Sequence, residues 1–485
     1  MLGCRAARCL RACRLFNVVD YAGVGFFFSG FHMSYKDFIL NKSQWHHECG
    51  FDCGTLPSWL YDFQESLVRW SLLKGRSAIF ADCGMGKTAM QLAWAQKVIE
   101  RTNKPVLIVT PLAVGLQTQQ EAERFGIPAM RSRDGSMSGE TCVWITNYEQ
   151  LHKLNPSDFS GVVCDESSAI KDMKSQRKAT VVEFMRNMEF RLLCTATAAP
   201  NDYWELGTSS EALGLLGWRD MITKFFKQET SKDHHGWGRT KYRFRGHAEQ
   251  PFWSWVTSWA RSLQRPSDLG FDDARFILPP LVETEVVVES RTMRDGMLFE
   301  LPATDMREER EERRRTIAER CEMAAEIANG HDGASVLWCE LNTEGDLLAK
   351  LTDDCVQISG SLKDEQKEEY LIGFATGQIK RLVTKPKIGA WGMNWQHCHN
   401  VVMFPSHSFE QYYQAVRRCY RFGQKNPVAL TMIVTDGERG IIDNLQRKKL
   451  QTEKMFQSLV THMHDSMHLA TVDYFGEKET VPSWL

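Results

Sequence analysis

The chain has 485 residues, too many for one simple core and enough for two or three domains. Its 43% hydrophobic and 25% charged residues suit a globular protein, and no apolar run is long enough to suggest a membrane span. Lys+Arg 59 against Asp+Glu 61 leaves a net charge of −2, which excludes a globally basic polyanion binder and confines any nucleic-acid contact to a local basic track.

Residues 1–54 read as an N-terminal extension. The arginines and apolar run of "MLGCRAARCLRACRLFNVVDYAGVGFFFSGFH" leave a secretory signal or a transit peptide open, although Asp20 breaks the run and no small-residue cleavage site follows. The preferred reading is that Met33 opens a polar segment, "MSYKDFILNKSQ", and that 1–32 is an upstream extension outside the fold. His46, His47, Cys49 and Cys53 have no second pair at metal-site spacing, so zinc is not expected there. The 14 cysteines are scattered, and several, such as Cys164 and Cys194, sit inside apolar runs, so free thiols in a reducing cytoplasm are expected.

From 55 to 210 short apolar runs alternate with helical stretches: "SAIFAD", "VLIVT", "VWIT", "GVVCD" and "FRLLCT". Such alternation predicts a parallel sheet with helices on both faces. "ADCGMGKT" (81–88) lies between the first of these strands and a helix, the setting a phosphate-binding loop requires. Gly84, Met85 and Gly86 would offer backbone N–H groups to phosphates, Lys87 would neutralise the β- and γ-phosphates, and the Thr88 hydroxyl would ligate Mg²⁺. Ala81 stands where the usual motif has its first glycine. About 80 residues on, "VVCDESS" puts Asp165 and Glu166 at the C-terminal end of a buried strand. Asp165 would anchor the Mg²⁺ and Glu166 would take a proton from an attacking water.

Residues 211–330 differ, and read as an insertion and linker. The stretch 224–245 interleaves Lys and Arg with aromatics, as a DNA-tracking loop using Trp237 or Tyr242 would, or as a solvated insertion would. Trp253, Trp255 and Trp259 have the spacing of a buried helix face. "MREEREERRRT" (306–316) mixes charges as a solvated helix bridging the lobes would. A second α/β domain, 331–440, repeats the rhythm of the first, and 441–485 holds a helix, over 441–468, expected to pack back on one lobe. Near the end of that second domain, "QAVRRCYRFGQ" (414–424) sets three arginines within five positions, suited to a nucleic-acid backbone, a nucleotide or a solvated helix face.

Taken together these motifs resemble superfamily-two helicase ATPases built from two RecA-like α/β lobes. Beyond the phosphate loop and the acidic pair, Gln64 in "LYDFQESLVRW" is similar to the family's adenine-reading glutamine. "VTPLAV" (109–114) and "ITNYEQL" (145–151) resemble its strand-contacting segments. "TATAAPN" resembles the motif coupling hydrolysis to strand contact, which implies that role for Thr195 and Thr197; "GAWGMNWQ" carries Gly392 and Asn394 by the same likeness. The layout of 414–424, ending in Gly423-Gln424, is closest to the Swi/Snf-type branch and implies Arg418 and Arg421, with Gln414, as groups facing ATP. On a continuous helix these three would share one face, leaving Arg417 unassigned. The compactness of the chain resembles phage and prophage members. The resemblance implies ATP and Mg²⁺ as cofactors, DNA, double-stranded before single-stranded, as partner, phage replication or DNA-processing proteins as companions, and a cytoplasmic location. An RNA helicase, or an ATP-switched subunit of a nuclease or methyltransferase, are the alternatives.

Overall fold

The computed structural model describes residues 26–28, 31–33, 49–232, 238–290, 306–389 and 394–473. Met1–His47 is a unit by itself, in which β1 (Phe26–Phe28) and β2 (Phe31–Met33) pair antiparallel. Met33, read as the start of a polar segment, ends β2 opposite Phe26.

The unit Glu48–Leu485 holds two large sheets, each wholly parallel among the described residues. The first takes β3 (Arg76–Ala81), β4 (Val106–Thr110), β5 (Ala129–Arg131), β6 (Val143–Asn147), β7 (Gly161–Asp165) and β8 (Phe190–Cys194). A separate hairpin of β9 (Phe226–Lys232) and β10 (Gly238–Phe244) follows, and β11 (Ala260–Leu263) then returns to the edge of the sheet, giving the order β11-β3-β8-β7-β4-β6-β5. Alternate residues of each central strand feed opposite cores: Phe80, Val162 and Leu193 enter one, while Ile79, Val163 and Leu192 enter the other. Burial on both faces is why these strands are continuous apolar runs rather than alternating ones. The order β3-β8-β7 sets the C-terminal ends of three strands side by side, and each of those ends carries one of the sequence motifs.

The second sheet comprises β12 (Leu281–Val287), β13 (Ser335–Trp338), β14 (Cys355–Ile358), β15 (Arg381–Thr384), β16 (Asn400–Met403) and β17 (Val428–Val434), in the order β12-β17-β16-β13-β15-β14. Segment 211–330 is therefore not a free-standing insertion. Its β11 pairs with β3, its β12 pairs along the whole of β17, and its helix Ile317–Asn329 buries Cys321, Ala324 and Ala328 on the second sheet. Edge strands carry weak apolar patterns, and β12 keeps most of its positions exposed, so sequence did not mark it as a strand.

Aromatics of the intervening region anchor the hairpin. Phe226 and Phe244 stack with centroids 4.7 Å apart, and Tyr242 meets Trp204 edge-on at 5.7 Å, so Tyr242 is engaged within the protein. Trp237 lies outside the described residues, and Trp253, Trp255 and Trp259 are buried. The charged helix Met306–Arg315 is docked rather than solvated all round: Glu312 is buried and accepts from Thr435 Oγ1 at 2.9 Å, and Arg313 pairs with Glu438 at 2.8 Å.

The last helix, Arg439–Asp473, departs most from expectation. Instead of packing on one lobe it spans both: Ile441, Ile442 and Leu445 complete a core of the second lobe, and Met455, Phe456 and Leu459 complete a core of the first. The fourteen residue-to-residue rises from Ile442 to Phe456 carry a helix about 21 Å, enough to bridge two domains. Among the described residues no helix is long and apolar enough to cross a membrane.

Candidate active site

The loop after β3 turns sharply into the helix Lys87–Thr102. Gly84 and Gly86 hold φ of +91° and +75°, in the left-handed region that glycine alone occupies without cost. Space also demands glycine, because a Cβ at Gly84 would lie 2.8 Å from the Phe422 backbone nitrogen. The helix starts without a side-chain cap, so its first N–H groups stay available to an anion. Lys87 Nζ donates to the Ala81 carbonyl at 3.1 Å. Burial alone would depress that ammonium's pKa, but Cys83, Glu166, Asp165 and Asp82 outweigh it and hold the group above its ordinary value.

Asp165 ends β7, and Glu166 follows in a left-handed conformation, φ +50°, unusual for a non-glycine residue. That turn sends the two carboxylates to different partners. Asp165 Oδ1 accepts from Gln91 Nε2 at 2.6 Å, while Glu166 Oε2 accepts from Thr195 Oγ1 at 3.3 Å and from Gln414 Nε2, on the second lobe, at 3.4 Å. Burial, then the neighbouring Glu166 charge, pushes Asp165 up to about 6. Thr197 N donates to Thr195 Oγ1 at 3.1 Å, so the threonine-rich segment stands directly behind the acid.

On the second lobe the helix Phe409–Val416 stops before the arginines. Gln414, Arg418 and Arg421 therefore do not lie on one continuous helical face, as the spacing had suggested. They converge through turns: Trp395 N donates to the Arg418 carbonyl at 2.9 Å, Arg418 Nη2 donates to Gln414 Oε1 at 3.0 Å, and Arg421 donates to Asn394 Oδ1. Gly423, at φ +93°, ends the stretch, and Gln424 Nε2 pins it by donating to the Cys398 and Cys419 carbonyls at 3.0 and 3.1 Å. Burial, and then the Arg418 charge, lowers Arg421 to about 10.

These pieces meet in one inter-lobe cleft of about 350 Å³, lined from the first lobe by Gln64, Gly84, Gly86, Lys87, Thr88, Asp165 and Glu166 and from the second by Asn394, Arg418 and Arg421. Met85 gives its carbonyl to Gln64 Nε2 at 2.9 Å, and Gln414, Thr195 and Thr197 are buried. Gly392 lies outside the described residues. Sequence reasoning missed the aromatic end of the cleft, where Phe276, from the segment between the two sheets, stacks on Phe422 at 4.9 Å and meets Tyr61 edge-on at 5.2 Å. Isolated aromatics on loops carry no periodicity that could have flagged them.

A second, larger cleft of about 910 Å³ also crosses the lobes, lined by Leu112, Asn147, Lys171 and Arg177 with Glu149 and Asp172 on one side and by Lys367 and Lys387 with Asp364, Glu368 and Glu410 on the other, so its walls carry both signs of charge. The strand-contact candidates 109–114 and 145–151 thus contribute to this wall. Two lobe-crossing ion pairs adjoin it, Lys171 with Glu410 and Arg131 with Glu368 at 3.3 Å. Of the residues weighed for zinc, His46 and His47 lie outside the described residues, and the Cys49 thiol donates to the Lys74 carbonyl at 3.7 Å.

Residues 320–423 match the model of the helicase conserved C-terminal domain. No curated protein matches the chain by sequence. Among solved structures the chain is similar to the Sulfolobus solfataricus SWI2/SNF2 ATPase core in complex with double-stranded DNA, at 15% identity and TM-score 0.38, over 84% of this chain and 94% of that one. It is also similar to the DUF1998 helicase MrfA bound to DNA and AMPPNP, at 13% identity and TM-score 0.52, over 80% of this chain and 50% of that one. The fold is thus that of two RecA-like α/β lobes, and the residues that match the helicase C-terminal model fall in the second lobe.

Proposed function

We propose that the chain is an ATP-hydrolysing motor that moves on DNA, double-stranded in preference to single-stranded, after the manner of the Swi/Snf-type branch of superfamily-two helicases. One observation carries the reading: Lys87, Thr88, Asp165 and Glu166 from one lobe share a cleft with Arg418 and Arg421 from the other, and Gln414 touches Glu166 across it. The donor set fits a nucleotide with its Mg²⁺, since two positive-φ glycines leave room for phosphates and the helix start is uncapped. The Thr88 hydroxyl and the Asp165 carboxylate would hold the Mg²⁺, which when bound neutralises phosphate charge.

Lys87 binds the phosphates that the loop cradles. Glu166, oriented by Thr195, accepts the proton of the attacking water. Arg418 and Arg421 stabilise charge that develops on the transferred phosphate; arginines so placed are worth on the order of 10³–10⁵ in rate. Turnover therefore requires the lobes to be closed, and product release lets them part. DNA runs in the larger cleft, where its phosphates meet Lys387 and displace the lining carboxylates Glu410, Glu149 and Asp364 from Lys171, Arg177 and Lys367. MrfA, which shares the fold, was captured with DNA and a nucleotide analogue, the two ligand classes assigned here.

An ATPase assay with double-stranded DNA, single-stranded DNA and RNA added separately tests this. Double-stranded DNA is expected to stimulate most, and Lys87→Ala and Glu166→Gln are expected to abolish turnover. Stimulation by RNA alone would make the protein an RNA helicase, and full activity in either variant would refute the site.

A further inference from the structure

Arg417 is the one arginine of 414–424 that the nucleotide does not claim, yet it is deeply engaged. Its Nη2 reaches Asp82 Oδ2 at 2.5 Å, and its guanidinium lies over the rings of Tyr413 and Tyr420, at 5.2 Å from each centroid. Asp82 belongs to the phosphate loop, and its other oxygen accepts from the Cys83 backbone N–H at 2.5 Å and from the Tyr413 hydroxyl. The carboxylate thus joins the loop's own backbone to two side chains of the opposite lobe. The pair is desolvated, with side-chain exposures of 16% for Arg417 and 6% for Asp82. Next to it the loop at Gly84 abuts the Phe422 backbone so closely that no Cβ fits between them.

We infer that Arg417, Tyr413 and Asp82 form an inter-lobe latch that shapes the phosphate loop only when the second lobe is docked, so that Arg417 is a positioning residue acting through Asp82. The inference rests on the ATPase reading for its consequence in turnover, but not for the latch itself. When the cleft opens, both charges are hydrated. When it closes, each is buried against the other, and a buried charge left alone costs far more than the pair. The loop's shape is in this way tied to the arrival of Arg418 and Arg421, which leave the same turn. ATP held by the first lobe alone would not need the latch, whereas the closed, reacting complex would.

The test is a cycle of Arg417→Gln, Asp82→Asn and their double variant, with Arg417→Lys and Tyr413→Phe as milder probes in case the first variant folds poorly. Steady-state ATPase and small-angle scattering of the nucleotide-free protein are the readouts. Each single variant is expected to lower kcat by about tenfold or more while KM for ATP stays within about threefold, the mark of an interaction made in the closed, reacting state. The double variant should be no slower than the worse single one, since each removes the same contact, and Arg417→Lys should recover part of the rate. Scattering should show a larger radius of gyration for Arg417→Gln than for the unaltered protein. Multiplying effects in the double variant, a change in KM alone, or an unchanged radius would each overturn the latch. If the unaltered protein hydrolyses no ATP but Arg417→Gln still expands it, the latch stands and the motor reading falls.

Discussion

Single residues in this protein are decided by whether a buried charge finds its counterpart. Arg320 is the clearest case outside the cleft: it is fully buried, pairs with the equally buried Glu344 at 2.9 Å, and lies over Phe404 at 4.8 Å. It thereby holds the helix Ile317–Asn329 to the helix Asn342–Leu351. Removing one member strands the other in a dry site. Arg320→Met is expected to cost about 3–5 kcal/mol, and Arg320→Met/Glu344→Gln to regain part of that, because the lone charge is gone while a side-chain oxygen still accepts from the Glu340 and Leu341 N–H groups. Denaturant unfolding of the three proteins checks this, and equal stability of the single and double variants would contradict it. The same rule explains Gln91 and Thr195, which sequence did not mark for their parts: each supplies a donor to a carboxylate that burial would otherwise leave short of partners.

At the scale of elements, the helix Arg439–Asp473 contributes side chains to the cores of both lobes. Phe456, 1% exposed, is the bulkiest of the side chains it inserts into the first lobe. Phe456→Ala should cost about 3–5 kcal/mol, seen as a lowered melting temperature. A helix anchored at the second lobe only would leave that variant as stable as the parent. The β9–β10 hairpin shows the reverse economy, its aromatic residues packing at its base on Trp204, Tyr203 and Phe252 and so fixing where the hairpin leaves the lobe.

Across the whole molecule, carboxylates of the second lobe sit on cations of the first. Glu368 faces Arg131 at 3.3 Å and Arg133 at 3.9 Å, and Glu410 pairs with Lys171. These cations flank or line the larger cleft, so under the DNA reading Glu368 and Glu410 hold positions that phosphates would take. Glu368→Gln/Glu410→Gln is expected to tighten DNA binding by about three- to tenfold, with a steeper dependence on salt. Fluorescence anisotropy with labelled duplex at two ionic strengths measures both, and unchanged affinity would refute the competition.

The first-lobe side of the smaller cleft was legible in the sequence because its requirements are local. Gly84 and Gly86 answer to backbone angles and close approach, Asp165-Glu166 to the end of one strand, and buried parallel strands to unbroken apolar runs. Motifs of that kind are written in a few consecutive residues, and they locate the cleft. What only the tertiary structure decided is who meets whom across distance. Arg417 and Asp82 are 335 positions apart, β11 and β12 were split between two sheets, and the last helix serves two cores rather than one. Periodicity tells which face of an element is buried but not against what, and a charged pair closed by the docking of two lobes leaves no mark on either neighbourhood. The stretch 414–424 shows both halves at once: its arginines are visible in the chain, but their division between cleft and latch depends on the helix ending at Val416 and on the lobe that faces it.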